Sequence, residues 1–529
     1  LPVAGNIVLS EGANIGFGVG GTGCFTQADI DALWANTYPR VTLNGTSLVV
    51  LDTSAGDFTQ TTAQSTRGLI KTGVNTLRIA GVNTYSGGTL IQQGVLSIAA
   101  TSALPGWNTT GSYEVYRDAA LAVQNTISDT DLTTLLGSGN FADGACFGFD
   151  TYGSNRTCSL SFANTARGAL GLYKVGTNIL YLSGTSTYDG NTTLNGGILS
   201  LSNADALGST NGYTTINRVG GTSPLYTDST GQLQLNANNG PLVWNENFYL
   251  TGAEQYGYTG ALRNNVGTNI LNGWIRIFGA SARIGVTAGN LILNGPIERI
   301  DAATNPMLVL NPNAGMLVVS NSINLGTGGM NFHSGGTVWL CATGSVWSGY
   351  QQVQYGCIVR LGVDHALPTG VKLTLGNTGT PPGNGTFDLY GFDQTLAGLA
   401  QYGTDASYPN NIIRNTQAND PSTLTITQAA GVNDLFSGRI IERINLVMAV
   451  MPTSTLTLAA SNTLSGSVVV NGGTLAIGAS GSLGPNCTNI TVTAGTLSVQ
   501  NSAGAALADT ATIYMSGSGS AKNCCNEWR

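Results

Sequence analysis

Eight cysteines carry the most versatile side-chain chemistry in this 529-residue chain: Cys24, Cys146, Cys158, Cys341, Cys357, Cys487, Cys524 and Cys525. Thiolates hold zinc or form disulfides, and their spacing separates the two. No pair has C-x-x-C spacing and histidine is limited to His333 and His365, so no metal site is expected. An even set of this kind points to disulfides in an oxidising, extracytoplasmic compartment. Cys146 with Cys158, and Cys341 with Cys357, are near enough in sequence to staple local excursions or adjacent coils. Vicinal Cys524 and Cys525 can hardly bond each other without strain. One of them is expected to pair near the C-terminus, with Cys487, and the other with Cys24 of a neighbouring chain, locking a head-to-tail assembly. Wholly internal bridging is the equal alternative, because sequence does not set connectivity.

Paired carboxylates are the second source of chemistry. Asp129, Asp131, Asp143 and Asp150 form one group, Asp388 and Asp393 another. Two acids across a groove would cleave polysaccharides. However, Asp129 and Asp131 fit the start of a helix, and Asp388 and Asp393 flank a turn-rich segment. No catalytic residues and no cofactor are therefore assigned. Arg439, Glu442 and Arg443 read as a solvated or ion-paired edge. The run Phe17 to Gly23 lacks the lysine and strand-to-helix frame of a phosphate loop and reads as a glycine turn.

Composition narrows the class further. Charged residues are 9% of the chain, against roughly 25% in globular proteins. Lysine occurs only at positions 71, 174, 372 and 522. The net charge is −7 with no basic stripe, which argues against nucleic acid. No apolar run approaches the roughly 18–20 residues of a membrane-spanning helix. The first residue is Leu1, which suggests a chain whose signal peptide has been removed.

What must position these residues is a repeat. Lys174 to Leu207 holds three short alternating runs, Ile179–Leu182, Thr192–Leu194 and Ile198–Leu201. The same stretch occurs 103 residues earlier from Lys71, and 276 residues later as Val450 to Leu483. A degenerate fourth copy aligns Trp347-Ser348-Gly349 on Tyr188-Asp189-Gly190, which places Val353 on Leu194 and Cys357 on Ile198. Each unit buries one face of its strands and leaves both edges unpaired, so units must stack. Glycine and asparagine supply the corners. The expected fold is all-β, a parallel β-helix (β-solenoid) with short capping or inserted helices. A propeller would need evenly spaced blades. The helices are expected after Thr26 and Ser128, each followed by an acid three residues on. The expected layout is a capping segment over 1–66, a repeat array over 67–500 with an insertion near 113–164, and a cross-linking tail over 501–529.

The string Thr84-Tyr85-Ser86-Gly87-Gly88-Thr89-Leu90, then Gly94-Val95-Leu96, resembles the autotransporter-associated β-strand repeat, also called the passenger-associated transport repeat. Thr187 to Gly190 through Asn195-Gly196-Gly197-Ile198-Leu199 matches it too, as does Leu464-Ser465-Gly466 through Asn471 to Leu475. The resemblance implies a secreted, bacterial, right-handed β-helical surface protein with no catalytic residues to transfer. Nothing after Val499 reads as the translocator barrel of a standard autotransporter. The expected function is an extracellular or cell-surface structural protein that self-assembles into a fibre, sheath or surface layer. The alternative is an adhesin that binds glycans or host surfaces through exposed Tyr, Trp and Asn. A polysaccharide lyase or hydrolase ranks last.

Overall fold

A computed structural model describes residues 6–217, 231–251, 259–279, 281–302, 304–377, 383–402, 410–449, 452–501, 506–517 and 519–523. The chain divides into two compact units, Leu1–Asn236 with Asn245–Tyr249, and Ala237–Trp244 with Leu250–Arg529. Both are parallel β-solenoids, with about 19 turns in all among the described residues. Among these residues no helix is long and apolar enough to cross a membrane.

In the first unit, one sheet stacks Ile15–Gly18, Val49–Asp52, Leu69–Thr72, Thr89–Ile91 and Tyr113–Val115. A second runs from Phe58–Gln60 through Thr76–Ile79, Val95–Ile98, Ala120–Val123, Ala145–Asp150, Leu170–Val175 and Thr192–Leu194 to Thr214–Asn217. A third holds Arg156–Cys158, Ile179–Leu182, Ile198–Leu201 and Gln232–Asn236. In-register pairing turns alternation along each strand into columns between strands. One buried column is Ile79–Ile98–Val123–Phe149–Lys174–Leu194–Ile216. Each aliphatic member stabilises the stack by about 1.5–3 kcal/mol through burial.

The pairing corrects how the repeat is used. Ile179–Leu182 lies directly on Ile198–Leu201, 19 residues on, so these two runs are successive rungs of one sheet rather than two sides of one coil. A fourth strand, Leu170–Val175, precedes them and carries Thr192–Leu194. The first copy repeats this arrangement, with Leu69 on Thr89 and Thr76 on Val95. Its first pair lies in the first sheet, whereas the equivalent pair of the second copy lies in the second sheet. The copies thus enter the solenoid on different sides.

Helix α1 (Gln27–Trp34) has the expected capping box between Thr26 and Asp29 and buries Ile30, Leu33 and Trp34. Trp34 packs 6.4 Å from the Tyr85 ring and donates its Nε1–H to the Arg67 carbonyl at 2.7 Å. Helix α2 (Asp129–Leu136) starts at Ser128, which accepts the Asp131 N–H. It is carried between Ala120–Val123 and Ala145–Asp150, which are adjacent rungs, so much of the stretch 113–164 continues the sheets.

The second unit repeats the logic. One inward column reads Leu262–Ile284–Leu310–Phe332–Val353–Leu375–Gln401. The third repeat copy stacks Thr455–Leu458 on Thr474–Ile477. The fourth copy has Gln351–Val353 where Thr192–Leu194 stands, and Ile358–Leu361 in place of Ile198–Leu201. Its extra residue therefore sits before Ile358, and Cys357 belongs to the corner rather than matching Ile198.

Candidate functional site

Two corners bring together chemistry that the sequence reading left apart. The strand Ala145–Asp150 ends on a carboxylate with no solvent exposure. Asp150 Oδ2 accepts from Arg78 Nε at 2.7 Å, and its Oδ1 accepts the Tyr152 N–H at 3.0 Å. Arg78 also donates Nη1–H to Asp57 Oδ2 at 3.0 Å, and its guanidinium lies 4.6 Å from the Tyr152 ring centroid. Burial alone would lower the Arg78 pKa; Asp150 and then Asp57 outweigh it and raise it.

The second unit contains the same device. Asp388 ends the strand Thr386–Asp388, is fully buried, and accepts from Arg360 at 3.1 and 3.2 Å and from Thr416 Oγ1 at 2.8 Å. The Tyr390 N–H folds back onto Asp388 Oδ1 at 3.2 Å, and Arg360 lies 4.4 Å from the Tyr390 ring centroid. The sequences are Asp150-Thr151-Tyr152-Gly153 and Asp388-Leu389-Tyr390-Gly391, and both glycines have positive φ, 107° and 89°. The chemistry explains the pattern. A carboxylate at the strand end caps the amide two residues on, and the glycine lets the chain turn. An arginine from an earlier rung makes charge-assisted bonds to the acid and stacks on the tyrosine. The Asp-x-Tyr-Gly recurrence was visible in the sequence; the arginine partner was not.

Beside the first clamp lies a cleft of about 260 Å³ bordered by Asp57, Asn75, Arg78, Tyr152, Thr177 and Asn195. Tyr152 is 62% exposed there, and the Asp57 side chain is half exposed. The wall also includes Gly176 and Gly196. From the buried side, Lys174 Nζ donates to the carbonyls of Gly176 at 2.8 Å and Gly196 at 3.0 Å, and to Val175 O at 2.8 Å. Lys71, the equivalent residue of the first copy, donates to Thr72, Gly73 and Gln93 carbonyls at 2.6–2.8 Å. Each lysine occupies an inward column, Phe17–Leu51–Lys71–Ile91–Val115 in the case of Lys71. Burial pushes both ammonium groups down to about 7; Asp52 and Asp57 oppose this at Lys71, and Asp150 at Lys174.

The repeats share a further polar pair. Tyr85 and Thr89 hydroxyls meet at 2.8 Å, and Tyr188 and Thr192 at 2.6 Å. Trp347 Nε1–H donates to Gln351 Oε1 at 2.8 Å in the degenerate copy, which supports its alignment on Tyr188. The third copy has buried Leu464 and Val468 instead. An aromatic polar tip and its acceptor, or two apolar groups, satisfy the same corner; one without the other would not.

The remaining acids are engaged structurally. Asp129 pairs with Arg156 at 2.8 Å, Asp131 accepts the Ser128 hydroxyl at 2.7 Å, and Asp143 pairs with Arg117. Asp393 accepts the Thr423 N–H at 2.5 Å. Glu442 accepts the Asn415 N–H at 2.8 Å, while Arg443 donates to the Ala418 carbonyl at 2.9 Å. His333 is pushed down to about 4 by burial and then by Arg283, and packs 4.6 Å from the Tyr355 ring. His365 accepts the Thr395 N–H. Among the described residues no group of three or more His, Cys, Asp or Glu could hold a metal ion.

The expected staples are not formed. Cys24, Cys146, Cys158, Cys341, Cys357 and Cys487 are free thiols. Register explains it for the second pair. Thr337–Leu340 lies on Ile358–Leu361, so Cys341 and Cys357 flank opposite ends of a four-residue rung. That is about 16 Å along the strands, against the roughly 4.4–6.8 Å between Cα atoms of a disulfide. Cys146 and Cys158 belong to different sheets, near the far ends of strands flanking one corner. Burial pushes Cys146 up to about 12 and Cys487 up to about 11, so these are unreactive thiols. Cys524 and Cys525 lie outside the described residues, and with them the expected bridges to Cys487 and to Cys24 of a neighbouring chain.

Comparison with known proteins agrees with this architecture. The family described as Passenger-associated-transport-repeat matches residues 69–98, 172–201 and 453–477, the first three copies. The chain is 31% identical over 141 residues to a protein described as "Adhesin BmaC autotransporter" from Brucella suis biovar 1 (strain 1330). The match covers 25% of this chain and 4% of that relative's length. No solved structure matches. The chain is a parallel β-solenoid that carries three passenger-associated transport repeats.

Proposed function

We propose that this chain is a secreted or cell-surface, non-enzymatic β-solenoid that acts as an adhesin, with its regular stack serving as a scaffold and its corners as the contact surface. The observation that carries this is the first clamp. It holds an exposed tyrosine and an open polar cleft on a rigid corner, whereas the repeat's own polar groups are used internally. The passenger-associated repeats support export to the outside of the cell, and the relative's description as an adhesin supports the binding role. The acids singled out from the sequence are committed to caps and ion pairs, so they offer no free carboxylate pair to a polysaccharide-cleaving role. Self-assembly into a fibre, sheath or surface layer has no comparable observation behind it. The test is display of the chain on a non-adherent bacterium, with attachment to host-cell monolayers and matrix proteins counted. Saturable attachment blocked by soluble chain is expected. Attachment no better than the undisplayed carrier, or regular filaments of the purified chain under the electron microscope, would overturn it.

A further inference from the structure

We infer that the cleft between Asp57, Arg78 and Tyr152 is a binding site for one neutral saccharide ring, a reading that deepens the adhesin proposal by naming the ligand and the place. Size comes first. Pockets for drug-sized ligands run about 300–1,000 Å³, and this one holds about 260 Å³, room for a single ring-sized group rather than a chain laid end to end.

The lining supplies both halves of a sugar's surface. A sugar ring has apolar C–H patches and a rim of hydroxyls that donate and accept together. Tyr152 is 62% exposed although Arg78 covers one of its faces, so its free surface is the edge and the opposite face. That surface suits a C–H patch. Arg78 has five N–H groups and spends three, on Asp150 and Asp57. Two N–H donors remain. Asp57 accepts from Thr76 N–H at 2.9 Å and from Arg78, which leaves lone pairs on a half-exposed carboxylate. A donor and an acceptor held side by side is the arrangement that neighbouring hydroxyls satisfy, each giving one hydrogen bond and taking another. Asn75 donates to the Thr53 and Ser54 carbonyls at 2.7 and 3.2 Å, so its Oδ1 adds a further acceptor at the border.

Charge selects among sugars. Asp57 and Asp150 against Arg78 leave one net negative charge at the clamp. Lys174 at most cancels it, and its ammonium is turned away to the carbonyls on the buried side. Uronic and sialic acids would bring a second negative charge to a site with none to spare, on a chain of net charge −7. Neutral hexoses and N-acetylhexosamines carry no such cost. The site is also preorganised, because Arg78 is fixed by two carboxylates and a ring before any ligand arrives.

The test is saturation-transfer NMR on the full chain with the methyl glycosides of glucose, galactose, mannose and N-acetylglucosamine, and with glucuronic acid and N-acetylneuraminic acid as acidic probes. At least one neutral glycoside is expected to receive saturation, and the acidic probes none. Tyr152→Ala should weaken that binding at least tenfold, and Thr177→Trp, which fills the cleft from an exposed position, should abolish it. Tyr514→Ala, at an exposed tyrosine far along the chain, should change nothing. Unchanged circular dichroism of the three variants verifies folding. No saturation of any neutral probe, preference for the acidic ones, or binding untouched by both cleft variants overturns the inference. Attachment is measured in parallel. Attachment that persists without any glycoside binding removes the cleft and leaves the adhesin reading. Tyr152-dependent glycoside binding without attachment supports the cleft and removes the adhesin reading.

Discussion

Raising the pH from 7 to 9 should strengthen the first unit, and the two buried lysines should account for the gain. An unfolded lysine holds its proton to about 10.4. In the fold, burial pushes both Lys71 and Lys174 from 10.5 down to about 7. Above pH 7 the unfolded chain therefore binds more protons than the folded one, and stability rises with pH. Each lysine weakens the fold fully below pH 7 and ceases to do so as the pH passes 10.5. The slope is at most about 1.4 kcal/mol per pH unit, which gives about 2 kcal/mol per lysine between pH 7 and 9. This is an upper figure, because three carbonyl oxygens at hydrogen-bond distance favour the ammonium form. The assay is urea unfolding at both pH values, followed by fluorescence and circular dichroism, for the wild type and for Lys71→Met/Lys174→Met. Other titrating groups are common to both chains and cancel in the difference. The third repeat copy shows that an apolar residue fits this position: Val470, the counterpart of Leu194, pairs with the buried Met448. A double variant with the same pH dependence as the wild type, within about 0.5 kcal/mol, would refute the argument.

Glu246 should act in the opposite sense: burial pushes its carboxyl up to about 8, against the Thr214 hydroxyl. Stability present below pH 4.5 is then lost as the pH rises to 8, so Glu246→Gln should remove a loss of about 2 kcal/mol between pH 5 and 7 in urea unfolding. Asp150→Asn strips Arg78 of its buried partner and should cost about 3 kcal/mol, whereas Asp143→Asn at an exposed pair should cost under about 0.5 kcal/mol; thermal melts compare them. Tyr188→Phe should cost about 1 kcal/mol by leaving Thr192 unpaired, and adding Thr192→Val should cost less than the sum of the single changes, as a double-mutant cycle will read. Maleimide labelling followed by peptide mapping should modify Cys24 and Cys341 before Cys357 and Cys487, and a bridged peptide joining 146 to 158 or 341 to 357 would contradict the structure.

The repeat copies were legible because ladder positions alternate with period two, and their glycine corners recur with them. The alternation even contains the burial of Lys71 and Lys174: Leu69 and Lys71, like Leu172 and Lys174, share one face of a strand. That signal is weak on its own, because lysine reads as a surface residue until a place is found for its three donors. The capping box at Thr26 was legible for a similar reason, being a contact over three residues. Corner length was not, and it decides which run lies upon which. Ile179–Leu182 reads equally as one side of a coil or as one rung of a stack; it is a rung because the stretch from it to Ile198, with the strand Thr192–Leu194 inside it, closes a full turn.

By itself, then, the sequence determined a parallel β-solenoid with apolar columns and short capped helices, since each depends on spacings of two to four residues. Tertiary structure alone decided the site. Arg78 meets Asp150 across 72 residues, and the cleft exists because five corners from different rungs come together there. It also decided that close cysteines stay apart, because a rung four residues long separates groups that lie only sixteen positions apart in the chain. Periodicity is a local property of the strands, whereas register is the accumulated length of every corner before them.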